Sequence, residues 1–559
     1  MYRHLLLLIT CAGLSYNSDL ICQPQTVGIF LNDSTSLNGY TLFSPVASRE
    51  TYLIDNCGHE INRWTFDNVP GMMTYLLEDG SVMRASRTFS GFGAGGSGGL
   101  IQRKSWDDTL TWSYAYSSDS LKQHHDIEVL DNGNVLLIAW ERRPDAEILQ
   151  AGRIPEALGS AGLWMEQIVE LKPLGTDSAE IVWEWHLYDH LVQDVDPSLD
   201  NFGEIHEHPG KLDINYRAFS DAQLMTPGSA DWVHLNAIDY NPDLDLIVIS
   251  ARNTNEIYVL DHSTTTMEAR GSSGGNYGRG GDFIFRYGND AVFNNAGGTV
   301  QHFYAQHDAS WVRQNGSYTG EISVFNNGLG RNDNISSAEI LTPRFSAGGF
   351  DYDNQERRYI LDDYFVLFAS TQYPFSSPRI SGVQVLNNDN LLICSGNHGA
   401  FYEIDREGRL VWNYVNPISQ TGPIPQGVGP VLNDVFRTLR YTPDFPGFEG
   451  RDLTPGTFLE LQPLDYDCQI NNGTVSTHEN AAFSELSVYP NPVHDKLHIA
   501  GWRTGQCNPE ALIYNISGEI LMRPDLSDEL VDLSLLNAGI YFLHLQCSDT
   551  VRVVKFVKQ

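Results

Sequence analysis

Apolar and polar positions alternate along most of this chain in short runs that no helical period fits, and the runs come in pairs. Between residues 70 and 417 a short hydrophobic run is followed by a tight turn rich in Asn, Asp and Gly, then by a second hydrophobic run. Residues 127–130 and 135–140 flank Asp131-Asn132-Gly133-Asn134, and 237–240 and 246–250 flank Asn241-Pro242-Asp243. Residues 383–386 and 391–394 flank Asn387-Asn388-Asp389-Asn390, and 74–77 and 81–83 flank Asp79-Gly80. Asn-Gly and Asp-Gly supply the positive φ of a two-residue hairpin turn, so each pair predicts a β-hairpin.

Several pairs run on into a second hairpin that closes on a tryptophan: 168–171 with Ile181-Val182-Trp183, and 401–404 with Leu410-Val411-Trp412. Two hairpins make a four-stranded blade. A lone blade cannot bury both of its faces, whereas a ring of blades buries them and removes the exposed edges. The pattern therefore predicts an all-β chain built as a β-propeller over residues 26–470. At roughly 60–75 residues per blade it predicts a six-bladed one. The long insertions at 141–165, 188–230 and 270–305 are predicted to serve function or to act as lids.

The pattern changes near residue 471. Asn471-Asn472-Gly473-Thr474-Val475-Ser476-Thr477 opens a predicted linker, 471–483. Then come Tyr489-Pro490-Asn491-Pro492-Val493, short alternating strands, and Leu533-Ser534-Leu535-Leu536-Asn537-Ala538-Gly539-Ile540-Tyr541-Phe542. The chain ends on the basic strand Val553-Val554-Lys555-Phe556-Val557-Lys558-Gln559. These predict a small, separate immunoglobulin-like β-sandwich over 484–559. The motifs resemble the C-terminal sorting domain of type IX secretion cargo in Bacteroidetes. That resemblance implies the type IX machinery as a partner, and a protein secreted or held at the outer-membrane cell surface. At the other end, the apolar run 5–14 behind Arg3 is too short to span a bilayer and reads as a signal peptide, 1–22. No later segment is predicted to cross a membrane.

Composition sharpens this picture. At 559 residues the chain is too long for one core, and 41% hydrophobic content with 50 glycines suits a turn-rich β protein. The net charge of −35 repels nucleic acid and anionic lipid, so neither is an expected partner. Any anionic substrate would need a local cationic island. The seven cysteines form no CxxC pair, which disfavours a zinc site. Cys57 with Cys468 and Cys507 with Cys547 are both open as disulfides. Gly91-Phe92-Gly93-Ala94-Gly95-Gly96 matches a dinucleotide-binding spacing but has no helix after it, and no P-loop is present.

Candidate chemistry comes from overlaying the repeats at their turns. His125 lies seven residues before Asn132, His234 seven before Asn241, and His307 eight before Asn315. Each thus stands at the start of the first strand of its blade. Arg142, Arg143, Arg252, Arg331 and His398 stand past the ends of the second strands. A hairpin brings these two positions to one edge, and the innermost strands line a central channel. The histidines and arginines are therefore expected around one channel mouth, where charge-assisted bonds would receive an anion. His124, His206 and His208 fall outside the register and read as structural. A metal site is not expected, because the histidines lack an evident carboxylate or cysteine set.

Asp231-Trp232-Val233-His234-Leu235-Asn236, Ser250-Ala251-Arg252-Asn253-Thr254-Asn255-Glu256-Ile257, Gln306-His307-Asp308-Ala309 and Ile380-Ser381-Gly382-Val383-Gln384 resemble the arylsulfotransferase family of six-bladed propellers. The resemblance runs over most of 26–420. It implies a sulfuryl transfer from an aryl sulfate donor to a phenolic acceptor, without the nucleotide donor PAPS and without a cofactor, through a sulfated histidine. It also implies His398, by chain order, as the nucleophile with His307 in reserve, and His234, His307 and Arg331 in binding and acid–base roles. His125, Asn236, Arg252, Trp232 and Trp311 would bind substrate, the two tryptophans by stacking. Ala309 stands where the family pattern could place an asparagine after His307. A binding propeller for sulfated, phenolic or glycan ligands is the alternative, and a quinone-dependent dehydrogenase the third reading.

Overall fold

The computed structural model describes residues 25–559 except 90, 161, 217–229, 295–299, 314–315, 333, 347, 369–375, 465–467, 469–486, 492, 501–509, 516–519, 525–529, 538, 548–549 and 559. The predicted signal peptide, the 471–483 linker and Cys507 lie outside the described residues. Among the described residues, six antiparallel sheets of four or five strands make up the large region. Each predicted hairpin forms: 135–137 pair with 127–129, Asn241 with Leu246, Val385 with Leu391, and Leu76 with Val82.

Six innermost strands, one per sheet, position the site. They are β1 (Pro70–Leu76), β2 (Leu121–Val129), β3 (Leu235–Asn241), β4 (His307–Trp311), β5 (Gly382–Val385) and β6 (Val435–Tyr441). Each touches the next, and β6 touches β1, so the architecture is a closed, propeller-like ring. The ends of the region close it twice. Gly28–Asn32 pairs with Leu410–Val415 as a fifth, outermost strand of the last sheet. β6 pairs with Tyr40–Pro45 as the innermost strand of the first sheet. A disulfide between Cys57 and Cys468, 411 positions apart, ties the returning chain to that sheet.

Each sheet buries one face against each neighbour. Trp64, Leu53 and Leu42 of the first sheet meet Leu76 and Val82 of the second, and Met83, Ile101 and Trp112 meet Ile127, Val135 and Val169 of the third. The tryptophans that end the hairpins have a second task. Indole N–H groups of Trp64, Trp112, Trp185 and Trp412 donate to the carbonyls of Ser105, Ser178, Gly281 and Asn56, at 2.9, 2.9, 2.8 and 2.8 Å. Each carbonyl belongs to the neighbouring sheet or its connections, so each tryptophan staples one sheet to the next while its ring fills the gap.

The C-terminal region is a second all-β unit. A three-stranded sheet (Ser487–Tyr489, Lys496–Ala500, Leu530–Asp532) and a four-stranded one (Glu510–Asn515, Ile520–Met522, Gly539–Cys547, Thr550–Lys558) share a core of Val493, Leu497, Ile499, Ile513, Val531, Leu543 and Phe556. Among the described residues no helix is long and apolar enough to cross a membrane.

Candidate active site

The strands β2, β3 and β4 all break register at the height of their histidines. The irregularity falls opposite 137–139, between Leu235 and Ala237, and between His307 and Ser310. His125 and His234 adopt φ of +50° and +57°, and in the third strand Asp308 takes +57° one residue later. Such bulges re-aim a side chain out of the alternating pleat. The one-residue slip in β4 is the offset seen in the sequence spacing of His307.

The bulges bring the three histidines together. The rings of His125 and His234 meet edge to face with centroids 4.6 Å apart. Phe436 of β6 packs against His125 at 5.9 Å and His307 at 6.4 Å. All three are nearly enclosed, at 3%, 9% and 2% exposure. Burial, and then His234, His124, His307 and Arg437, push His125 well below the usual imidazole range. Burial, and then the Arg252 guanidinium, does the same to His307.

Each imidazole is oriented from behind. His307 Nδ1 lies 2.7 Å from Asn327 Oδ1 and 3.1 Å from the Ala305 carbonyl. The carbonyl can only accept, so Nδ1 carries the proton and Nε2 keeps its lone pair. His234 Nδ1 lies 2.5 Å from Asp231 Oδ2, and the indole of Trp140 donates to Asp231 Oδ1 at 3.0 Å. Against the effect of burial, His234 holds Asp231 below the usual carboxylate range. His125 Nδ1 lies 2.9 Å from Nδ1 of His124, whose Nε2 lies 2.9 Å from Oε2 of Glu166. Among the described residues, Nε2 of His125, His234 and His307 has no hydrogen-bond partner.

Behind the histidines Arg437 crosses the ring axis from β6. It pairs with Asp126 of β2 at 2.7 Å and Asp308 of β4 at 3.1 Å, and donates to the Asn236 carbonyl of β3 at 2.8 Å. Tyr75 of β1 donates to Asp126 at 3.0 Å. Arg437 and Asp308 also line a cavity of about 730 Å³ with the turn residues Asp79, Asp131 and Asn387. Those turns join the far ends of the inner strands, so this cavity opens on the side away from the histidines.

Residues 47–421 match the arylsulfotransferase (ASST) family. The chain belongs to the arylsulfotransferase family. Residues 487–559 match the secretion-system C-terminal sorting domain. This arylsulfotransferase-family chain is therefore type IX secretion cargo, secreted or displayed at the cell surface. Beta-agarase D of Zobellia galactanivorans is 29% identical over 110 residues, which are 18% of this chain and 22% of that protein. The chain thus spans about a fifth of the length of that curated relative. Among solved structures, a protein of unknown function from Bacteroides caccae is 9% identical, with a TM-score of 0.36, over 72% of this chain and 99% of that one. The periplasmic gluconolactonase of Pseudomonas aeruginosa is 10% identical, with a TM-score of 0.32, over 68% of this chain and 97% of that one.

The other residues expected from the family resemblance have partners of their own. His398 sits on the turn Gly396–His398 and its Nδ1 engages Ser395 Oγ at 2.9 Å. Arg331 reaches Ser337 Oγ at 3.5 Å and the Ile335 carbonyl. Arg142 stacks on Phe92, Arg143 pairs with Glu141 and Glu147, and Arg252 lies close enough to His307 to act on its charge. Trp232 and Trp311 are packed in the apolar cores between sheets, with Arg153 over the face of Trp232, and present no free ring for stacking. Asn236 is fully buried; its amide donates to the Gln306 carbonyl at 2.8 Å, while Oδ1 has no partner among the described residues. Sequence reasoning missed Asp231, Asn327, Glu166 and Arg437, and set His124 aside. Only Asp231 had a local signal, three residues before His234. Arg437 lies beyond the 70–417 repeat.

Proposed function

We propose that this chain transfers a sulfuryl group from an aryl sulfate to a phenol by way of N-sulfated His307, without PAPS. The observation that supports this most is the set tautomer of His307: Nδ1 is held by Asn327 and Ala305, leaving the Nε2 lone pair in a buried, uncharged ring. In the first half-reaction His307 Nε2 bonds to sulfur as the sulfur–oxygen bond to the aryl group breaks, and the departing phenolate takes a proton. In the second half the acceptor phenol gives up its proton as its oxygen takes the sulfuryl group from His307, which restores the ring. Arg252, charged beside His307, would stabilise the sulfuryl oxygens, and His234 with Asp231 behind it would hold the donor. The role proposed for His307 replaces the one that chain order suggested for His398.

The reading includes a six-bladed propeller over 26–470, one blade per sheet, a linker at 471–483, and an immunoglobulin-like sorting sandwich over 484–559. It also places the protein in a bacterium with an outer membrane, after removal of 1–22. The test is to mix purified protein with 4-nitrophenyl sulfate and phenol. Release of 4-nitrophenol, with a burst of one equivalent per chain when phenol is left out and a mass gain of one sulfuryl group on His307, is expected. Turnover without any labelled histidine would make the transfer direct. If no aryl sulfate reacts, a propeller that only binds sulfated or phenolic ligands takes its place.

A further inference from the structure

Glu166 and His124 form a buried path behind His125, and the transfer chemistry above leaves it unused. Glu166 Oε2 and His124 Nε2 are 2.9 Å apart, as are His124 Nδ1 and His125 Nδ1. The path is fixed at both sides. Glu166 Oε1 accepts from the Leu235 N–H at 2.9 Å, and His124 stacks on Trp140 with ring centroids 4.2 Å apart. Glu166 and His124 are buried, at 1% and 0% exposure. We propose that Glu166 and His124 are a proton relay that loads and unloads His125 Nε2, the donor and acceptor of the phenol proton; this rests on the sulfuryl-transfer reading of the same cluster.

The hydrogen-bond inventory allows two complete states. In the loaded state Glu166 is a carboxylic acid that donates from Oε2 to His124 Nε2. His124 Nδ1–H donates to His125 Nδ1, and His125 Nε2–H faces the cluster. In the unloaded state Glu166 is a carboxylate. His124 Nε2–H donates to it, His125 Nδ1–H donates to His124 Nδ1, and His125 Nε2 presents a lone pair. One proton separates the two. In the first half-reaction His125 Nε2–H passes to the departing phenolate oxygen, His124 Nδ1–H moves to His125, and the Glu166 proton moves to His124. In the second, the phenol O–H proton goes to His125 Nε2 and the chain shifts back, so Glu166 regains its proton.

Neither state leaves an imidazolium in the dry interior. A proton arriving at His125 ends on Glu166, where it removes a buried negative charge rather than creating a buried positive one. The surroundings agree. Burial, then Asp231, pushes Glu166 well above the usual carboxylate range, and burial pushes His124 down to about 3. The titratable groups facing the path are Asp231 and His234 beside Glu166, Asp231 beside His124, and His234, His307 and Arg437 around His125. The raised Glu166 and lowered His124 favour the loaded state, ready to protonate a leaving group.

A relay matters most when the leaving group is basic. The test therefore compares 4-nitrophenyl sulfate, whose phenolate leaves readily unprotonated, with phenyl sulfate, whose phenolate does not. In Glu166→Gln the amide holds His124 but cannot give up a proton. In His124→Phe the stack on Trp140 is kept and the path is cut, so the second variant stands if the first does not fold. Both are expected to keep the 4-nitrophenol burst and to slow the phenol burst on the order of a hundredfold. Equal loss with both donors, or no loss with either, overturns the relay. A second readout needs no turnover: the infrared spectrum of wild type minus Glu166→Gln at neutral pH should show the C=O stretch of a buried carboxylic acid, and its absence overturns the proposal. If wild type reacts with no aryl sulfate, sulfuryl transfer fails on its own account, and the infrared band alone then decides whether Glu166 stores the proton.

Discussion

The chemistry of each histidine is set less by its own residue type than by the atom behind Nδ1. His307 faces acceptors, His234 a carboxylate, and His125 a second imidazole, so three equivalent positions in three repeats receive three different proton inventories. Only a lone pair in a neutral ring can attack sulfur, and His307 is the ring for which that state is held in place. His307→Asn is therefore expected to abolish both the 4-nitrophenol burst and the sulfuryl label, because an amide nitrogen is not nucleophilic. His398→Asn, whose imidazole bonds Ser395, should retain the burst. Loss of the burst in the second variant and not in the first would reverse the assignment.

At the scale of elements, the glycine-rich stretch that opens the third strand of the second sheet matters through contact. Gly96 has φ of +80°, and a Cβ there would lie 2.0 Å from Cε1 and Nε2 of His125. Its carbonyl also accepts from the His125 N–H at 2.8 Å. Gly96→Ala must shift either the loop or the ring, so it should depress turnover more than it lowers the melting temperature, whereas Gly133→Ala, with open space around it, should leave turnover unchanged. A second element-level contact joins the third and fourth sheets. His262 sits 2.8 Å from Asp245 and 3.0 Å from Glu170. Burial opposes its charge, but the bonds to Asp245 and Glu170 win and raise it from 6.5 to about 9. A histidine whose folded pKa is raised adds stability that is fully present below 6.5 and is lost as pH climbs through about 9. His262→Gln should therefore lower the denaturation midpoint near pH 6 and leave it almost unchanged above about pH 9, a difference read from denaturant melts at the two pH values.

The large region is a ring closed by strands from both of its ends and by the Cys57–Cys468 disulfide. Cys57 and Cys468 enclose nearly the entire ring, with 411 positions between them. Cross-linking so long a loop limits the unfolded chain, and the paired change Cys57→Ser with Cys468→Ser should cost about 2–4 kcal/mol in denaturant unfolding. No change on reduction would mean that the bond is absent in the mature protein. The sorting domain has its own core, and among the described residues none of it contacts the histidine cluster. Removing 484–559 should leave sulfuryl transfer intact in vitro and keep the truncated protein inside the cell, as judged by fractionation.

The β-hairpins, their turns and the repeat were legible along the chain because a hairpin is a local object: turn chemistry and alternation are written within about ten residues. The near-equal height of His125, His234 and His307 was legible for the same reason, since spacings of seven, seven and eight from their turns give positions that agree to within one residue. Tryptophans closing the hairpins were visible too, but not their role, because Trp183 and Trp412 find their partners, the Thr264 hydroxyl and the Asn56 carbonyl, in the adjoining sheets. Which cationic groups meet was decided only by ring closure. Arg437 comes from the strand that returns to complete the first sheet, and from there it reaches Asp126 and Asp308 across the axis. Tautomers also belong to the tertiary structure: besides the nearby Ala305 carbonyl, His307 Nδ1 meets Asn327, 20 positions away, and His124 meets Glu166, 42 away, distances over which sequence carries no register. Burial, finally, lowers His125 and His307 well below the usual imidazole range, and only a packed interior exerts that effect.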